Sequence, residues 1–465
     1  MNRKTYIKER LLIDILKAIL IISFSSGIYF VWTNYYNPYI PVPLYRYGNY
    51  LIAAVFGAVY FFLGQTYGGF MIGTSTVSDI IYSHGICVAL TLTLTYIIFS
   101  LMSVSLVNVL PFIVIFAVYF SFAIIWVIIT DRAYFKIHPP RKTIVVYDRV
   151  DSYISLRGIK SMDRRFNVVE TLRSRNTDLE TVYEKLSEAD AVFLCGLPAD
   201  YRNQIVKYCV RYNKVAYIKP KISDTIIRGG KTIQLLNVPV YRCTRSNQKL
   251  FYVVGKRIFD IIIALFAMIV LSPLMAVIAI MIKAYDKGPV LYKQTRLTMN
   301  GREFKVWKFR SMKVDAEKDG VARLATEDDD RITPVGRVIR KLRLDELPQV
   351  FNILGGSMSI VGPRPERPEI AKQYEDEMPE FALRLQVKAG LTGYAQVYGK
   401  YNTPPYDKVQ MDLIYVANQS FLVDLKLILM TVKILFMKES TEGIDSESLT
   451  ASQENDESVL DDDEL

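Results

Sequence analysis

The segment from Lys256 to Lys283 reads KRIFDIIIALFAMIVLSPLMAVIAIMIK. A bilayer crossing needs about 20 apolar residues, so this segment is long enough to enter a membrane as a helix. Ser272 and Pro273 interrupt it near the middle. Proline removes a backbone donor and clashes with the preceding turn, and the sequence therefore predicts a break at this pair. The Ser272 hydroxyl is expected to satisfy one of the backbone groups that the break leaves free.

Cations flank this segment on both sides. Lys256 and Arg257 open it, and Lys283 and Lys287 follow its apolar part. Because the cytoplasmic flanks of membrane helices collect Lys and Arg, both ends are predicted to be cytoplasmic. A re-entrant helix over residues 256–283, which enters the membrane, breaks at its proline and returns, satisfies both ends. The alternative is a proline-kinked spanning helix, which would place the rest of the chain outside.

The composition indicates an integral membrane protein. Of the 465 residues, 51% are hydrophobic and 22% are charged, and the apolar residues lie in runs. Residues 439–465 carry eleven acids and no Lys or Arg, so the rest of the chain is far more basic than the net charge of +10. A basic body suits an anionic leaflet or phosphates, whereas the acidic segment predicts a disordered tail.

The histidines and cysteines limit the chemistry of the second half of the chain. The histidines are His84 and His138, and Cys243 is the last of four cysteines. The cysteines show no CxxC spacing, so the sequence predicts neither a disulfide framework nor a zinc site. Any catalytic group after Cys243 must therefore come from other residue types.

Four apolar runs precede the segment described above. Few cations lie between them and many follow the last, which predicts four transmembrane helices with both ends cytoplasmic, in a domain of residues 1–135. The basic opening lacks a small-residue cleavage site after a short core, and this favours an anchor over a signal peptide. The runs are Leu11–Trp32, Leu51–Leu63, Ile80–Met102 and Val109–Ile129.

Residues 139–245 change to a soluble pattern. Apolar strands such as KTIVVYD and ADAVFLCGL alternate with polar helical stretches, which predicts a small Rossmann-like domain with a parallel sheet. The first strand runs into Asp148 without the GxGxxG turn that lets a backbone approach a pyrophosphate. We therefore expect a structural or regulatory domain, with a nucleotide-binding domain as the alternative.

The stretch after the membrane-entering segment is dense in Arg, Gly and Pro. In EFKVWKFR the strand period of two puts Lys308 and Arg310 on one face. In IRKLRLDELPQVFNILGG, Asp345 precedes an apolar helical pattern, so it is a candidate helix cap and Glu346 a favourable first-turn charge. Several arginines lie just before these acids, and Arg364 stands between two prolines.

Carboxylates surrounded by guanidinium groups stay ionised and the guanidinium groups bind phosphate. The alternative to a cap is thus an anionic-substrate site. In it, an aspartate attacks phosphorus to form an acyl phosphate, and a neighbouring glutamate can hold Mg²⁺ together with substrate phosphate.

Six ordered motifs between Lys256 and about Met437 resemble the bacterial sugar transferase family, the polyprenyl-phosphate hexose-1-phosphate transferases. They are KRIFD, the Ser-Pro break, KFRSM, LDELPQVFNIL, GGSMSIVGPRP and KAGLTGYAQVYGK. Together with the preceding domains, they resemble the large monotopic phosphoglycosyl transferases that initiate exopolysaccharide, capsule or O-antigen synthesis. The resemblance implies a monotopic α/β catalytic module over residues 251–438, in agreement with the re-entrant helix.

The resemblance also implies roles for individual residues. The family's dyad falls on Asp345 as covalent nucleophile and Glu346 as Mg²⁺ ligand. Its phosphate-binding arginines fall on Arg340 and Arg364, while Lys308 and Arg310 are expected to be active-site cations with less defined roles. Tyr394 and Tyr398 stand where relatives more often have Leu and Asn, which leaves the sugar preference open.

The reaction implied by the family moves a sugar 1-phosphate from a UDP-sugar to undecaprenyl phosphate and releases UMP. Its setting is the bacterial cytoplasmic membrane, with a multi-pass chain and the catalytic module on the cytoplasmic face. A homodimer is expected and a nucleic-acid partner is not. The sequence does not name the sugar, the polysaccharide, or the roles of the middle domain and the acidic tail.

Three other functions remain open. A non-catalytic scaffold would keep the module's shape, and a glycosyltransferase would release UDP in place of UMP. A nucleotide-sensing dehydratase relative would need the missing glycine-rich turn. Residues 420–438 predict an amphipathic interfacial helix, because Lys426 and Lys433 share a helix face; the alternative is an ordinary packed helix.

Overall fold

The chain divides into two compact units, Met1–Pro220 and Lys221–Leu465. The structure is a computed structural model. The predicted acidic tail lies outside the residues that it describes, and the four-part domain division stays a prediction. The described residues are 3–148, 164–245, 250–313, 331–399 and 403–435.

The first unit begins with four long helices. Neighbours in the chain pack against each other, and the first also contacts the fourth. These four helices and a fifth in the second unit are, among the described residues, long and apolar enough to cross a membrane. The helices of the first unit are α1 (Arg3–Val31), α2 (Arg46–Tyr67), α3 (Val77–Ser103) and α4 (Leu110–Ile137).

Several polar groups inside this helical layer have hydrogen-bond partners. His84 on α3 is fully buried; its Nδ1 lies 2.9 Å from the Tyr60 hydroxyl and its Nε2 lies 2.9 Å from the carbonyl of Gly69. The indole of Trp126 donates to the carbonyl of Leu16 at 2.8 Å. Because an unpaired polar group is costly away from water, these bonds make an apolar setting tolerable.

A four-stranded sheet follows in the same unit and confirms the predicted parallel sheet. All pairings are parallel, and the strand order is β2-β1-β3-β4. Helices α5 and α6 pack their apolar residues against one face of the sheet. The elements are β1 (Arg141–Tyr147), β2 (Phe166–Arg173), α5 (Leu179–Glu188), β3 (Ala191–Cys195), α6 (Ala199–Arg211) and β4 (Val215–Ile218).

The second unit combines short strands with helices of very different lengths. It contains three separate two-stranded sheets among the described residues. Its first elements are α7 (Ile222–Gly229), β5 (Lys231–Leu235), β6 (Val238–Arg242), α8 (Leu250–Asp286), β7 (Leu291–Leu297) and β8 (Glu303–Phe309). The others are α9 (Pro334–Lys341), α10 (Gln349–Leu354), β9 (Ser359–Val361), α11 (Pro368–Glu377), β10 (Gly390–Thr392), α12 (Tyr394–Tyr398), α13 (Pro405–Ala417) and α14 (Phe421–Leu435).

Helix α8 contains the segment that decides the fold, and it continues through Pro273. The sequence predicted a break here, whereas the structure keeps both sides in one helix. Proline has no N–H for the carbonyl of Ile269, and the Ser272 hydroxyl donates to that carbonyl at 2.9 Å instead. The expected compensation by Ser272 is therefore present, and it lets helical backbone persist at the proline.

Both ends of α8 pack against the second unit itself. Ala264 is buried in a core that includes Val306 on β8, and Ile278 is buried with Phe309 on the same strand. Every residue between these two helix positions, from Leu265 to Val277, is partly or fully exposed. The middle of the helix thus projects an apolar surface away from the module's core.

The two cations near the start of this helix, Lys256 and Arg257, are bound within the protein. Lys256 Nζ lies 2.7 Å from Asp424, whose carboxylate also accepts a hydrogen bond from Tyr252 at 2.8 Å. Arg257 donates to the carbonyls of Ile353 and Leu354 at 2.6 and 2.7 Å, at the end of α10. These cations therefore fix the base of α8 in addition to any role in membrane orientation.

Helix α14 packs into the core of the module, as the alternative expected, and its interfacial position stays a prediction. Leu427 and Ile434 are buried in the same core as Ala264. Lys433 is only 8% exposed, although Lys426 is exposed. The two lysines were expected to share a solvated face, and tertiary packing overrides that pattern.

Candidate active site

A single turn of 3-10 helix, Leu344–Glu346, presents the two acids between α9 and α10. The preceding Arg343 has a φ of 54°, and this left-handed conformation separates the turn from α9. Residue Pro348 occupies the cap position of α10. Asp345 therefore does not cap the following helix, and the simplest structural explanation for this acid does not hold.

Glu346 is held by two cations from different parts of the module. Its Oε1 accepts a hydrogen bond from Lys308 Nζ at 2.9 Å and one from Arg364 Nη2 at 3.3 Å. The glutamate side chain is 14% exposed and that of Lys308 is 20% exposed. Lys308 comes from the end of β8 and Arg364 from the loop after β9, so three separate sequence motifs meet at one carboxylate.

The two acids respond differently to this environment. Burial raises the pKa of Asp345 to about 6. The charge of Lys308 opposes this rise, and repulsion from Glu346 adds to it. Burial also raises the pKa of Glu346, but Lys308 and Arg364 outweigh it and hold that pKa far below its usual range. Surrounding cations were expected to keep both acids fully ionised; at neutral pH this applies without qualification only to Glu346.

The backbone of Arg364 is held by a second arginine, Arg384. Its backbone carbonyl accepts a hydrogen bond from Arg384 at 3.0 Å, and Arg384 is paired at 2.7 Å with the buried Asp412. The side chain of Arg364 remains 44% exposed. It can therefore reach both Glu346 and an incoming anion.

The other predicted cations take different places. Arg340 lies on α9, where its charge lowers the pKa of Asp345. Arg310 is buried and pairs with Asp286 at the end of α8, and it is absent from the described lining of the cavity beside Glu346. The structure thus brings Lys308, Arg340 and Arg364 to the dyad, whereas Arg310 joins the end of α8 to β8.

A partly open cavity lies beside Glu346. Sequence reasoning missed three of its polar lining residues, because nothing in their local sequence marks them. Arg296 comes from β7, Gln349 follows the dyad, and Gln396 lies in the motif from which we singled out only the tyrosines. The charged and amide side chains of the lining are Arg296, Lys308, Glu346, Gln349, Arg364 and Gln396.

The donor set fits a magnesium ion that is shared with a substrate. No cluster of three or more His, Cys, Asp or Glu side chains suited to a metal occurs among the described residues. Mg²⁺ commonly binds through one or two carboxylates and completes its shell with water and substrate phosphate. Glu346, which lines the cavity next to phosphate-binding cations, is a ligand of that kind.

Comparisons with known proteins identify the module. A model of the bacterial sugar transferase family matches residues 251–438. The exopolysaccharide production protein PSS of Rhizobium leguminosarum bv. phaseoli is 40% identical over 199 residues, which cover 96% of that protein and 40% of this chain. The chain belongs to the bacterial sugar transferase family. The matched segment of this bacterial sugar transferase contains α8, the dyad and the cavity.

Two further relatives carry more specific names. The UDP-glucose:undecaprenyl-phosphate glucose-1-phosphate transferase of Klebsiella pneumoniae is 40% identical over 231 residues, 49% of each chain. The UDP-N-acetylgalactosamine-undecaprenyl-phosphate N-acetylgalactosaminephosphotransferase of Aeromonas hydrophila is 41% identical over 187 residues, 40% of this chain and 44% of that protein. The match with this bacterial sugar transferase therefore spans about half the length of these relatives.

Proposed function

We propose that this protein transfers a sugar 1-phosphate from a UDP-sugar to undecaprenyl phosphate and releases UMP. The names of the Klebsiella and Aeromonas relatives support the acceptor and the type of group transferred. The observation that carries the proposal is the environment of Glu346, which lines the cavity, is held by Lys308 and Arg364, and follows Asp345 in the same turn. Cations that converge on one side of a nucleophile suit a reaction at a phosphate.

The proposed chemistry has two steps. A carboxylate oxygen of Asp345 attacks the sugar-bearing phosphorus of the UDP-sugar; a P–O bond forms there, and the bond to the bridging oxygen breaks with UMP as leaving group. A phosphate oxygen of undecaprenyl phosphate then attacks the same phosphorus and displaces the Asp345 carboxylate. Two displacements replace one, and the product is undecaprenyl-diphosphate-sugar.

The surrounding residues have distinct proposed roles. Arg364, Lys308 and Arg340 neutralise charge on the transferring phosphoryl group and on the departing UMP, as phosphoryl transfer requires. Glu346 stays ionised and is the proposed ligand of Mg²⁺. When bound, that ion supplies further charge neutralisation at the phosphate oxygens.

The re-entrant placement of α8 belongs to this proposal. Ala264 and Ile278, on the two sides of its exposed stretch, are both buried in cores of the same module. A spanning helix would separate its ends by the bilayer thickness of about 30 Å. The proposed geometry keeps the module on the cytoplasmic face of the inner membrane, where water-soluble donor and lipid phosphate meet.

The pathway and the assembly are further parts of the proposal. The name of the Rhizobium relative supports a place in exopolysaccharide production, and the first membrane step of capsule or O-antigen synthesis uses the same chemistry. The homodimer expected from the family resemblance stays a prediction.

Nucleotide release tests the proposed reaction. Membranes that contain the protein, or its Asp345→Asn variant, are incubated with undecaprenyl phosphate, Mg²⁺ and a panel of UDP-sugars. We expect UMP from the parent with at least one donor and none above background from the variant. Release of UDP would mean glycosyl transfer, and no nucleotide product with any donor would favour a non-catalytic scaffold.

A further inference from the structure

Two short parallel strands bring an arginine and a glutamine to the same edge of the module. Strands β9 and β10 pair in register, with Ser359 opposite Gly390. Arg364 follows the first strand and Gln396 follows the second. Because the carboxyl ends of parallel strands meet at one edge, both side chains reach the cavity beside Glu346.

Glycine is required for this pairing to be so close. A Cβ at Gly390 would lie 2.1 Å from the backbone nitrogen of Gly362, and a Cβ at Gly362 would lie 2.2 Å from the carbonyl of Lys388. Glycine at both positions lets the two backbones touch. The position of Gln396 is therefore fixed by the backbone and does not depend on a mobile loop tip.

The side-chain amide of Gln396 donates one hydrogen bond, and its oxygen accepts none among the described residues. Its Nε2 donates to the carbonyl of Leu391 at 3.2 Å. This bond assigns the amide so that Oε1 faces the other way, and Oε1 is buried without a hydrogen-bond partner among the residues that the structure describes. An unpaired buried acceptor costs about 1–3 kcal/mol, which a ligand that donates a hydrogen bond would recover.

The ligand group must be a hydrogen-bond donor. The cations of the cavity, Arg296, Lys308 and Arg364, supply the donors that an ionised phosphate needs. The Oε1 atom can only accept a hydrogen bond, so it offers nothing to the oxygens of an ionised phosphate. It can accept from an O–H or N–H, and a UDP-sugar carries these on its sugars and on its uracil.

We propose that Gln396 Oε1 accepts a hydrogen bond from a hydroxyl of the sugar that is transferred. This assignment rests on the proposed function. The sugar is bonded directly to the phosphate that Asp345 attacks, whereas a second phosphate and a ribose separate the uracil from it. Glu346 and Gln396 line the same cavity, so the sugar is the part of the donor that reaches both. Gln396 is then a specificity-determining residue for the donor.

Replacement of the acceptor by a group of similar shape tests the assignment. Gln396→Met removes Oε1, and we expect kcat/KM to fall by about 10- to 100-fold with the UDP-sugar that the parent uses best among UDP-glucose, UDP-N-acetylgalactosamine and their epimers. Inhibition by UDP, which lacks this sugar, should keep the parent's constant. Gln373→Met is the matched control, since Gln373 is exposed on α11 and absent from the described cavity lining.

Deoxy analogues of the same donor identify the hydroxyl. The parent should discriminate against one deoxy sugar by a factor close to the loss in Gln396→Met, and the variant should not discriminate against that analogue. Gln396→Glu keeps an acceptor at this place and should retain the discrimination even where its overall rate is lower. Because this comparison is made within each variant, a general loss of active protein does not imitate it.

Three results would overturn the assignment. In Gln396→Met with an unchanged size-exclusion profile, inhibition by UDP and kcat/KM could weaken by the same factor. That result would show that Gln396 contacts the nucleotide and not the transferred sugar. An unchanged kcat/KM would remove the contact altogether. If the parent releases no UMP with any donor, the proposed function fails first, and the assignment falls with it.

Discussion

Asp345 and Glu346 are neighbours in the chain, yet the pKa of Asp345 is raised and that of Glu346 is lowered. Glu346 accepts directly from Lys308 and Arg364, whereas burial dominates at Asp345. A buried aspartate with a raised pKa is a more basic oxygen nucleophile than a solvated one, and it still loses its proton below neutral pH. The division of roles between the two acids follows from these surroundings.

The pKa of Asp345 predicts a pH profile. Only the carboxylate form attacks phosphorus, so kcat/KM for UMP release should rise with pH through an ascending limb near pH 6, the value to which burial raises this pKa. Above that limb the rate should level off until another group titrates. Steady-state rates between pH 4.5 and 8 measure this profile, and a rate that is independent of pH from 5 to 7 would contradict it.

Lys308 should set the position of that limb. Its charge lowers the pKa of Asp345, so Lys308→Gln should raise that pKa and move the limb upward by about one pH unit or more. Lys305→Gln is the control, because Lys305 lies on the same strand with an exposed side chain. The electrostatic account would be wrong if both variants keep the parent's limb, or if both shift it equally.

The sequence predicted the residues that carry charge at the site but not those that complete it. Asp345, Glu346, Lys308 and Arg364 lie in motifs with several charges at close spacing. Gln396 becomes functional only because two glycine-containing strands pair, and no local pattern encodes that pairing. For Arg310 the sequence predicted a place at the site that the structure does not show. The strand period puts Arg310 on the same face as Lys308, but its guanidinium pairs with Asp286 at the end of α8.

At the scale of elements, α8 connects its exposed apolar stretch, the proposed membrane segment, to the candidate active site. Its base is fixed by Arg257 on the last carbonyls of α10, and α10 follows the dyad directly. Its far end is fixed to β8, which also carries Lys308. A change in the membrane depth of this helix would therefore act on both sides of the site.

Cysteine labelling tests the re-entrant placement. With Cys243 replaced by serine, the other cysteines are buried, and a cysteine introduced at the exposed Ala284 reports the end of α8. We expect no reaction with a membrane-impermeant maleimide added outside intact spheroplasts, and reaction after permeabilisation. A cysteine at Val42, which is 76% exposed between α1 and α2, should react from outside.

Labelling of the Ala284 cysteine in intact spheroplasts would show that α8 spans the membrane. Pro273→Ala gives a second comparison, because alanine restores the N–H that Pro273 lacks and favours a straighter helix. In that background the same cysteine should become partly accessible from outside.

Some elements of the structure were predicted from sequence patterns and others were not. The parallel sheet of the first unit follows directly from alternating strands and helices, and the Ser272 hydrogen bond was predicted from chemistry alone. The predicted break at Pro273 does not interrupt α8, because the Ser272 hydroxyl next to the proline donates to the carbonyl of Ile269. Helix α14 packs into a core that it shares with distant residues, and that core exists only in the folded chain.

At the scale of the whole molecule, the family match covers residues 251–438 and leaves the first unit outside it. The Rhizobium relative, of which the alignment covers 96%, consists almost entirely of the matched module. The second compact unit begins earlier, at Lys221. Its first helix buries Ile222 against Phe381 and Val409 of the module.

A fragment that begins at Lys221 should therefore retain UMP release. A fragment that begins at Leu250 lacks α7 and exposes the apolar surface that Ile222 covers, so it should unfold at a lower temperature. Thermal unfolding in detergent and nucleotide release measure the two properties, with Asp345→Asn in the longer fragment as the inactive control. Loss of activity in the longer fragment, with its fold intact, would assign the first unit a part in catalysis.

The central claim is that Asp345 forms a covalent phosphosugar intermediate, and the most direct test omits the acceptor. The protein is mixed with Mg²⁺ and its UDP-sugar without undecaprenyl phosphate, quenched in acid, and examined for UMP and for the mass of the peptide that contains Asp345. We predict one equivalent of UMP per active site and a mass increase of one phosphosugar on Asp345, which disappears when undecaprenyl phosphate is added. UMP formation only in the presence of the acceptor, with no mass change at Asp345, would contradict the account and favour direct transfer between the two substrates.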